Sequence, residues 1–173
     1  MKRIVFVMLL LPVVVGLLAF SVPVSGHADA KTPSNTEIKI PHGYRDWRLI
    51  SVAHEAGGLN DIRAVLGNDV AIRSYRGEIT PFPEGTILAR LAWKYVPSEE
   101  DNKAFGREQS FVAGRPTNVQ FMIKNSNKYA ATGGWGFAQF TDGKPTNEAV
   151  PKACFSCHQA AETRDFVFTR YTP

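Results

Sequence analysis

The chain has 173 residues, a formal net charge of +4, and 44% hydrophobic against 21% charged residues. Those proportions exclude a disordered polyelectrolyte and supply enough apolar surface for a packed core. Lys and Arg are scattered rather than interleaved with aromatics in one run, so no nucleic-acid partner is expected.

In chain order, Lys2 and Arg3 precede an apolar run from Ile4 to Phe20, and the small-residue site Ala28-Asp29-Ala30 follows. This is the pattern of an export signal over residues 1–30, cleaved after Ala30 or, alternatively, after Gly26. An uncleaved anchor is the competing reading, weakened by Pro12 and Gly16 inside the run, and nothing later is apolar enough to span a bilayer. The expected location is the periplasm. Residues 31–40 are polar and aperiodic, which predicts a flexible leader. Residues 41–173 are expected to form one domain, since removing the signal leaves roughly 140 residues.

Within that domain, residues 44–53 and 61–66 predict two strands of a hairpin around the turn-rich His54-Glu55-Ala56-Gly57-Gly58. Asn68 is placed to cap a short helix over 69–76, with Gly77 as its stop. Residues 86–96 form the clearest strand pattern: Ile87, Ala89, Leu91 and Trp93 share an apolar face, whereas Leu88, Arg90, Ala92 and Lys94 share a mixed one. Residues 98–103 predict a solvated loop or helical turn. A short strand is expected near Phe111 and Val112, and a second over 118–124, where Val119, Phe121 and Ile123 alternate with Gln120, Met122 and Lys124. Residues 135–140 predict a strand whose small residues admit a bulky neighbour, residues 147–161 a helix, and the aromatic-rich 166–171 a last strand. The fold class is therefore mainly β, an antiparallel sheet domain with a short C-terminal helix.

That helix contains Cys154-Phe155-Ser156-Cys157-His158. Cys-x-x-Cys-His is the pattern of covalent haem attachment: two thiols can add to the vinyl groups of one porphyrin, and the adjacent histidine can coordinate the iron. Cys154, Cys157 and His158 are thus the cofactor-binding residues, His158 is the metal ligand, and the cofactor is one haem c per chain. The small residues of 135–140 suit the approach of a haem face. A thioredoxin-like redox pair fits poorly, because no βαβ pattern precedes the motif. Structural zinc needs four ligands, and the mature chain offers only the distant His42 and His54 besides.

The sequence resembles the P-460 family of c-type cytochromes. The resemblance rests on Tyr44-Arg45-Asp46-Trp47, Asn60-Asp61-Ile62-Arg63, Phe82-Pro83-Glu84-Gly85-Thr86, Lys124-Asn125-Ser126, Trp135-Gly136-Phe137, the Cys154 to His158 motif, and Asp165-Phe166-Val167-Phe168-Thr169-Arg170-Tyr171. It implies an antiparallel β fold, a homodimer, a proximal motif histidine and an open distal iron position that takes a small gaseous or nitrogenous ligand. An electron donor or acceptor protein is a further expected partner, and the small positive charge would favour an acidic one. Founding members carry a lysine bonded to the porphyrin and oxidise hydroxylamine or handle nitric oxide. The related beta-type cytochromes c-prime lack that bond and bind nitric oxide or carbon monoxide.

Carried over by position, the cross-linking lysine falls at Arg90, whose guanidinium stays protonated and is a poor nucleophile. Arg90 is instead suited to a haem propionate. Lys94 shares its face, but four residues of strand span about 13 Å, so only a bulge would bring it into range. The family's distal carboxylate aligns with Gln120, a hydrogen-bonding side chain that cannot act as a base. Its distal arginine matches Arg63. Arg63 and Gln120 are the expected distal residues. Three functions remain open on sequence: an oxidoreductase acting on hydroxylamine or nitric oxide, a non-catalytic gas binder, and an electron carrier with a sixth protein ligand such as Met122.

Overall fold

The computed structural model describes residues 38–147 and 149–172. The signal segment and residues 31–37 of the leader lie outside the described residues. Six strands, β1 (Arg48–Glu55), β2 (Asp61–Gly67), β3 (Ile87–Pro97), β4 (Phe111–Lys124), β5 (Trp135–Thr141) and β6 (Lys144–Pro145), form one antiparallel sheet in chain order. Helices α1 (Asp69–Arg76), α2 (Glu99–Phe105) and α3 (Ala149–His158) accompany it, with a 3-10 segment Gln159–Arg164 continuing α3. The mainly β class and the motif-bearing C-terminal helix agree with the sequence pattern.

Alternation along the central strands divides the residues between two faces. Ala89 and Leu91 of β3, Phe121 of β4, and Ala138 and Phe140 of β5 form one buried layer, closed by Ile38 and Tyr129, with Tyr44 and Trp47 packed at its edge. Ile38 is 6% exposed, so packing of the domain already includes a residue ahead of Pro41. The opposite face is divided along the strands. One half, with Val65, Leu88, Trp135 and Phe137, packs against Ala71 and Ile72 of α1, Phe82 and Val167. The other half carries polar side chains and holds the site. Asn68 fixes α1 to the sheet: its Oδ1 accepts the N–H groups of Ala71 (3.0 Å) and Ile87 (3.2 Å), while Nδ2 donates to the Gly85 carbonyl (2.8 Å).

Several elements differ from expectation. Tyr44–Asp46 is a 3-10 turn entered from Gly43 at φ 68°, and the first strand starts only at Arg48. Of the two readings of residues 98–103 the helical one holds and extends to 105, with Ser98 Oγ accepting the Asp101 N–H (3.4 Å) and Gly106 in the left-handed region ending the helix. The two strands expected near 111 and over 118–124 are one, β4; register shifts opposite Ala92, Trp93 and Tyr95 absorb Pro116 within it. Residues 166–171 are not a strand. Asp165 and Phe166 have φ of 52° and 64°, and the segment then crosses to the edge of β1, where the Thr172 N–H donates to the Ile50 carbonyl (2.8 Å). Val167 enters the core and Phe168 faces His158, so packing outweighs the β propensity of the sequence.

Gly136 corrects a further expectation. A Cβ there would lie 2.4 Å from the ring of Tyr129, on the face opposite the haem motif. The bulky neighbour of this strand is therefore a tyrosine of the chain itself. Gly136→Ala should cost about 1–3 kcal/mol, because the ring is confined in the layer and cannot retreat freely. Urea unfolding measures this, and an unchanged midpoint would contradict the assigned packing.

Candidate functional site

Between α3, the C-terminal segment and the second sheet face lies a cavity of about 270 Å³. Val65, Leu88, Phe137 and Val167 make its apolar part, Glu55, Arg63, Arg90 and Gln120 its polar part, and Cys154 and His158 also line it. The sequence-predicted residues Arg63, Arg90, Gln120, Cys154 and His158 are thus brought to one space. Cys157 is exposed on α3, three residues after Cys154 and hence on the same side of the helix. Both thiols are free, and burial, reinforced by the neighbouring Cys157, pushes the Cys154 thiol up.

His158 is oriented by the backbone that follows it. Its Nδ1–H donates to the Phe166 carbonyl at 2.6 Å, an assignment that makes Nε2 the unprotonated nitrogen. Phe137 and Phe168 flank the ring, with centroids 5.1 and 5.2 Å away. Burial lowers the imidazole below its ordinary 6.5; the Phe166 hydrogen bond opposes this, and the charge of Arg63 adds to it. The neutral form is the one able to coordinate a metal.

The Phe166 carbonyl is aimed by a buried ion pair. Lys124 Nζ donates to Asp165 Oδ1 at 2.7 Å, and Asp165 Oδ2 accepts the Phe82 N–H at 2.8 Å. The side chains are 6% and 7% exposed. Lys124 also reaches the Gly133 carbonyl (3.3 Å) and lies 5.0 Å from the Trp135 ring centroid. The N–H groups of Asp165 and Phe166 return to the carbonyls of Glu162 and Ala161, both at 2.9 Å, closing the turn that reverses the chain. Gly133 leaves room for it, since a Cβ there would fall 2.2 Å from the Phe166 ring.

On the polar wall each predicted residue has a neighbour within the sheet. Arg63 pairs with Glu55, which lies diagonally across the β1–β2 register. Arg90 donates to Asp61 Oδ2 (2.5 Å) and reaches Asn118 Oδ1 (3.4 Å). Gln120 Nε2 donates to Gln139 Oε1 at 2.7 Å. Lys94 does not line the cavity: its Nζ lies 3.5 Å from the Leu59 carbonyl. The β2–β3 register runs unbroken from Gly67 and Leu88 to Asp61 and Lys94, so no bulge on that pairing draws Lys94 toward Arg90. Met122 stands between Leu88 and Phe137 in register and packs against the core. His42 is exposed, and His54 stacks on Tyr95 with ring centroids 3.9 Å apart.

Sequence reading missed Glu55, Asp61, Gln139 and the Lys124–Asp165 pair. Glu55 sits where the sequence shows only turn residues. Lys124 and Asp165 are 41 residues apart, and nothing local to either signals the other.

The donor set fits a covalently held haem: two free thiols one helical turn apart, an oriented neutral imidazole, an apolar wall, and guanidinium groups suited to carboxylates. Among the described residues no group of three or more His, Cys, Asp or Glu could hold a bare metal ion. No curated protein matches the chain. The family model for Cytochrome P460 matches residues 41–169.

Lys124→Ala or Asp165→Ala should each cost about 3–5 kcal/mol, because each leaves an uncompensated buried charge. The double replacement Lys124→Met with Asp165→Leu should cost less than either, and denaturant unfolding of all three decides it. For the haem-free chain, the folded His158 binds its proton at lower pH than the unfolded one, so stability should fall as pH drops through about 6.5. His158→Gln should flatten that part of the profile.

Proposed function

The chain belongs to the cytochrome P460 family, which implies a c-type haem cytochrome, and from this premise we propose an exported mono-haem protein whose iron keeps one face open to small nitrogenous ligands, nitric oxide and hydroxylamine. The observation that carries the reading is the cavity itself, with an oriented imidazole on one wall and guanidinium and amide groups on another. Bound there, haem supplies an iron able to exchange an electron and take up a small ligand.

The chain's own residues then have separate tasks. Cys154 and Cys157 would hold the group through thioether bonds, and His158 would supply a nitrogen ligand to its iron. The Phe166 carbonyl keeps the proton on Nδ1 and makes the imidazole a stronger donor. Val65, Leu88 and Phe137 exclude water from one side of the cavity. Arg63 and Gln120 offer hydrogen bonds to a ligand, and Arg90 can meet a propionate. Met122 lines the cavity and also packs against the apolar cluster between Leu88 and Phe137, and that packing supports a structural role for it. Periplasmic export is supported by the sequence pattern of residues 1–30 and a homodimer by the family resemblance, and a redox partner protein completes the proposal, since a haem c exchanges electrons.

Protein purified after export should have the mass of the processed chain plus one haem, and the ferrous form should bind carbon monoxide and nitric oxide. Cys154→Ser with Cys157→Ser should abolish covalent retention in denaturant. A ferrous form that binds neither gas would overturn the open-site reading.

A further inference from the structure

We propose that the arginine-lined recess beside the C-terminal segment is the surface on which the electron-exchange partner docks, and that this partner presents carboxylates around its own redox centre. The inference rests on the haem reading above and names the place where that haem meets its partner.

A second recess, of about 610 Å³, opens between the end of α1 and the chain that follows the Gln159–Arg164 turn. Arg76, Arg164 and Arg170 line it, against one carboxylate, Glu78. Among the described residues none of these three guanidinium groups forms an ion pair. Arg76 Nε donates to the Tyr171 hydroxyl at 3.0 Å, and Arg164 lies over the Phe168 ring, 6.0 Å from its centroid. The two arginines of the haem cavity differ in this respect, since each is held by a carboxylate. Arg76 and Arg170 are exposed, so their charge stands at the mouth of the recess, where it meets a surface rather than closing around a small anion.

Position gives this charge a use. Val167 and Thr169 line both the recess and the haem cavity, so a single stretch of chain separates the two. From the recess side the Tyr75 hydroxyl donates to the Thr169 carbonyl at 3.2 Å, which holds that stretch in place. Phe168, 44% exposed, lies between Arg164 and the His158 ring, whose centroid is 5.2 Å from its own. An aromatic side chain beside a polar rim is the usual anatomy of a protein interface. Redox encounters between proteins are small, below about 1,200 Å² in total, and are steered by charge more than held by area. A carboxylate-bearing partner drawn to the three arginines is therefore brought to the thinnest wall of the haem cavity. The step is outer-sphere: one electron leaves the partner's reduced centre and arrives at the ferric iron, with no bond made or broken and no proton moved.

The test uses the haem-loaded protein and stopped-flow reduction of its ferric form by an acidic two-iron ferredoxin of the plant type, whose low potential makes it a reductant of haem c. A neutral hydroquinone serves as the small-molecule control. For wild type the second-order rate constant with ferredoxin should fall about tenfold or more between about 0.01 M and about 1 M salt, as the Debye length shrinks from about 30 to about 3 Å. At the lower salt Arg164→Gln with Arg170→Gln should slow ferredoxin about tenfold and hydroquinone by less than about twofold, and the difference should vanish at the higher. Arg45→Gln with Arg107→Gln removes the same charge elsewhere, Arg45 lying with Leu91 and Phe140 on the opposite face of the sheet, and should change the ferredoxin rate by less than about twofold. If the first double variant fails to load haem, Arg170→Glu against Arg45→Glu makes the same comparison, since both side chains are exposed. Equal slowing by the recess variant and its control would overturn the inference in favour of net charge alone, as would a ferredoxin rate indifferent to salt and to Arg164 and Arg170. Wild type that loses its haem in denaturant would instead overturn the haem reading beneath it.

Discussion

Asp165, a carboxylate almost removed from water, holds the segment that orients the histidine of the haem motif. Lys124 neutralises one oxygen and the Phe82 N–H occupies the other, so the side chain ties the end of β4, the loop before β3 and the C-terminal turn to one point. The backbone at Asp165 and Phe166 accepts the left-handed region as a result. That conformation turns the Phe166 carbonyl onto His158 Nδ1. Phe137 and Phe168 confine the ring from its sides, and a charge pair that never touches it fixes the tautomer through that carbonyl.

The sheet acts as a coordinate frame for the remainder. Because side chains repeat every second residue, one face of β2, β3 and β4 presents Val65 and Leu88 at the core end, and Arg63, Arg90 and Gln120 beyond. Polarity therefore changes along the strands rather than across the sheet. The motif helix packs over the place where the change occurs, so Cys154 meets the apolar cluster while the cavity it lines continues to the arginines. On the other face Ala89, Leu91 and Phe121 give the sheet a buried apolar second layer, which lets the functional face carry so many polar groups.

Much of this was legible in the sequence because it depends on local pattern. The period-two alternation of residues 87–94 identifies both faces of β3, Asn68 and Gly77 bracket α1, and the spacing of Cys154, Cys157 and His158 identifies the cofactor class. What escaped depends on contacts between distant segments. The C-terminal aromatics have strand propensity, yet Val167 is drawn into the core and Phe168 to His158, so no ladder forms. Gly136 announces a close approach without saying from which face, and the approaching group proves to be Tyr129. The sequence also identifies Arg63, Arg90 and Gln120 as site residues while concealing what each is bonded to.

Those partners change the chemical meaning of the substitutions. Judged alone, arginine at 90 and glutamine at 120 leave the site with an excess of cations and no carboxylate. In the folded chain, Glu55 arrives from β1, a strand no alignment of the distal residues would consult, and Asp61 takes the guanidinium of Arg90. Arg90 spans Ala92 to do so, a course that a bulkier side chain at that buried position would obstruct. Carboxylates therefore stand beside both guanidinium groups, supplied by β1 and β2. Gln120 spends one donor on Gln139, so the charge of this pocket wall is set from the hairpin that opens the domain, where Glu55 and Asp61 hold the two guanidinium groups.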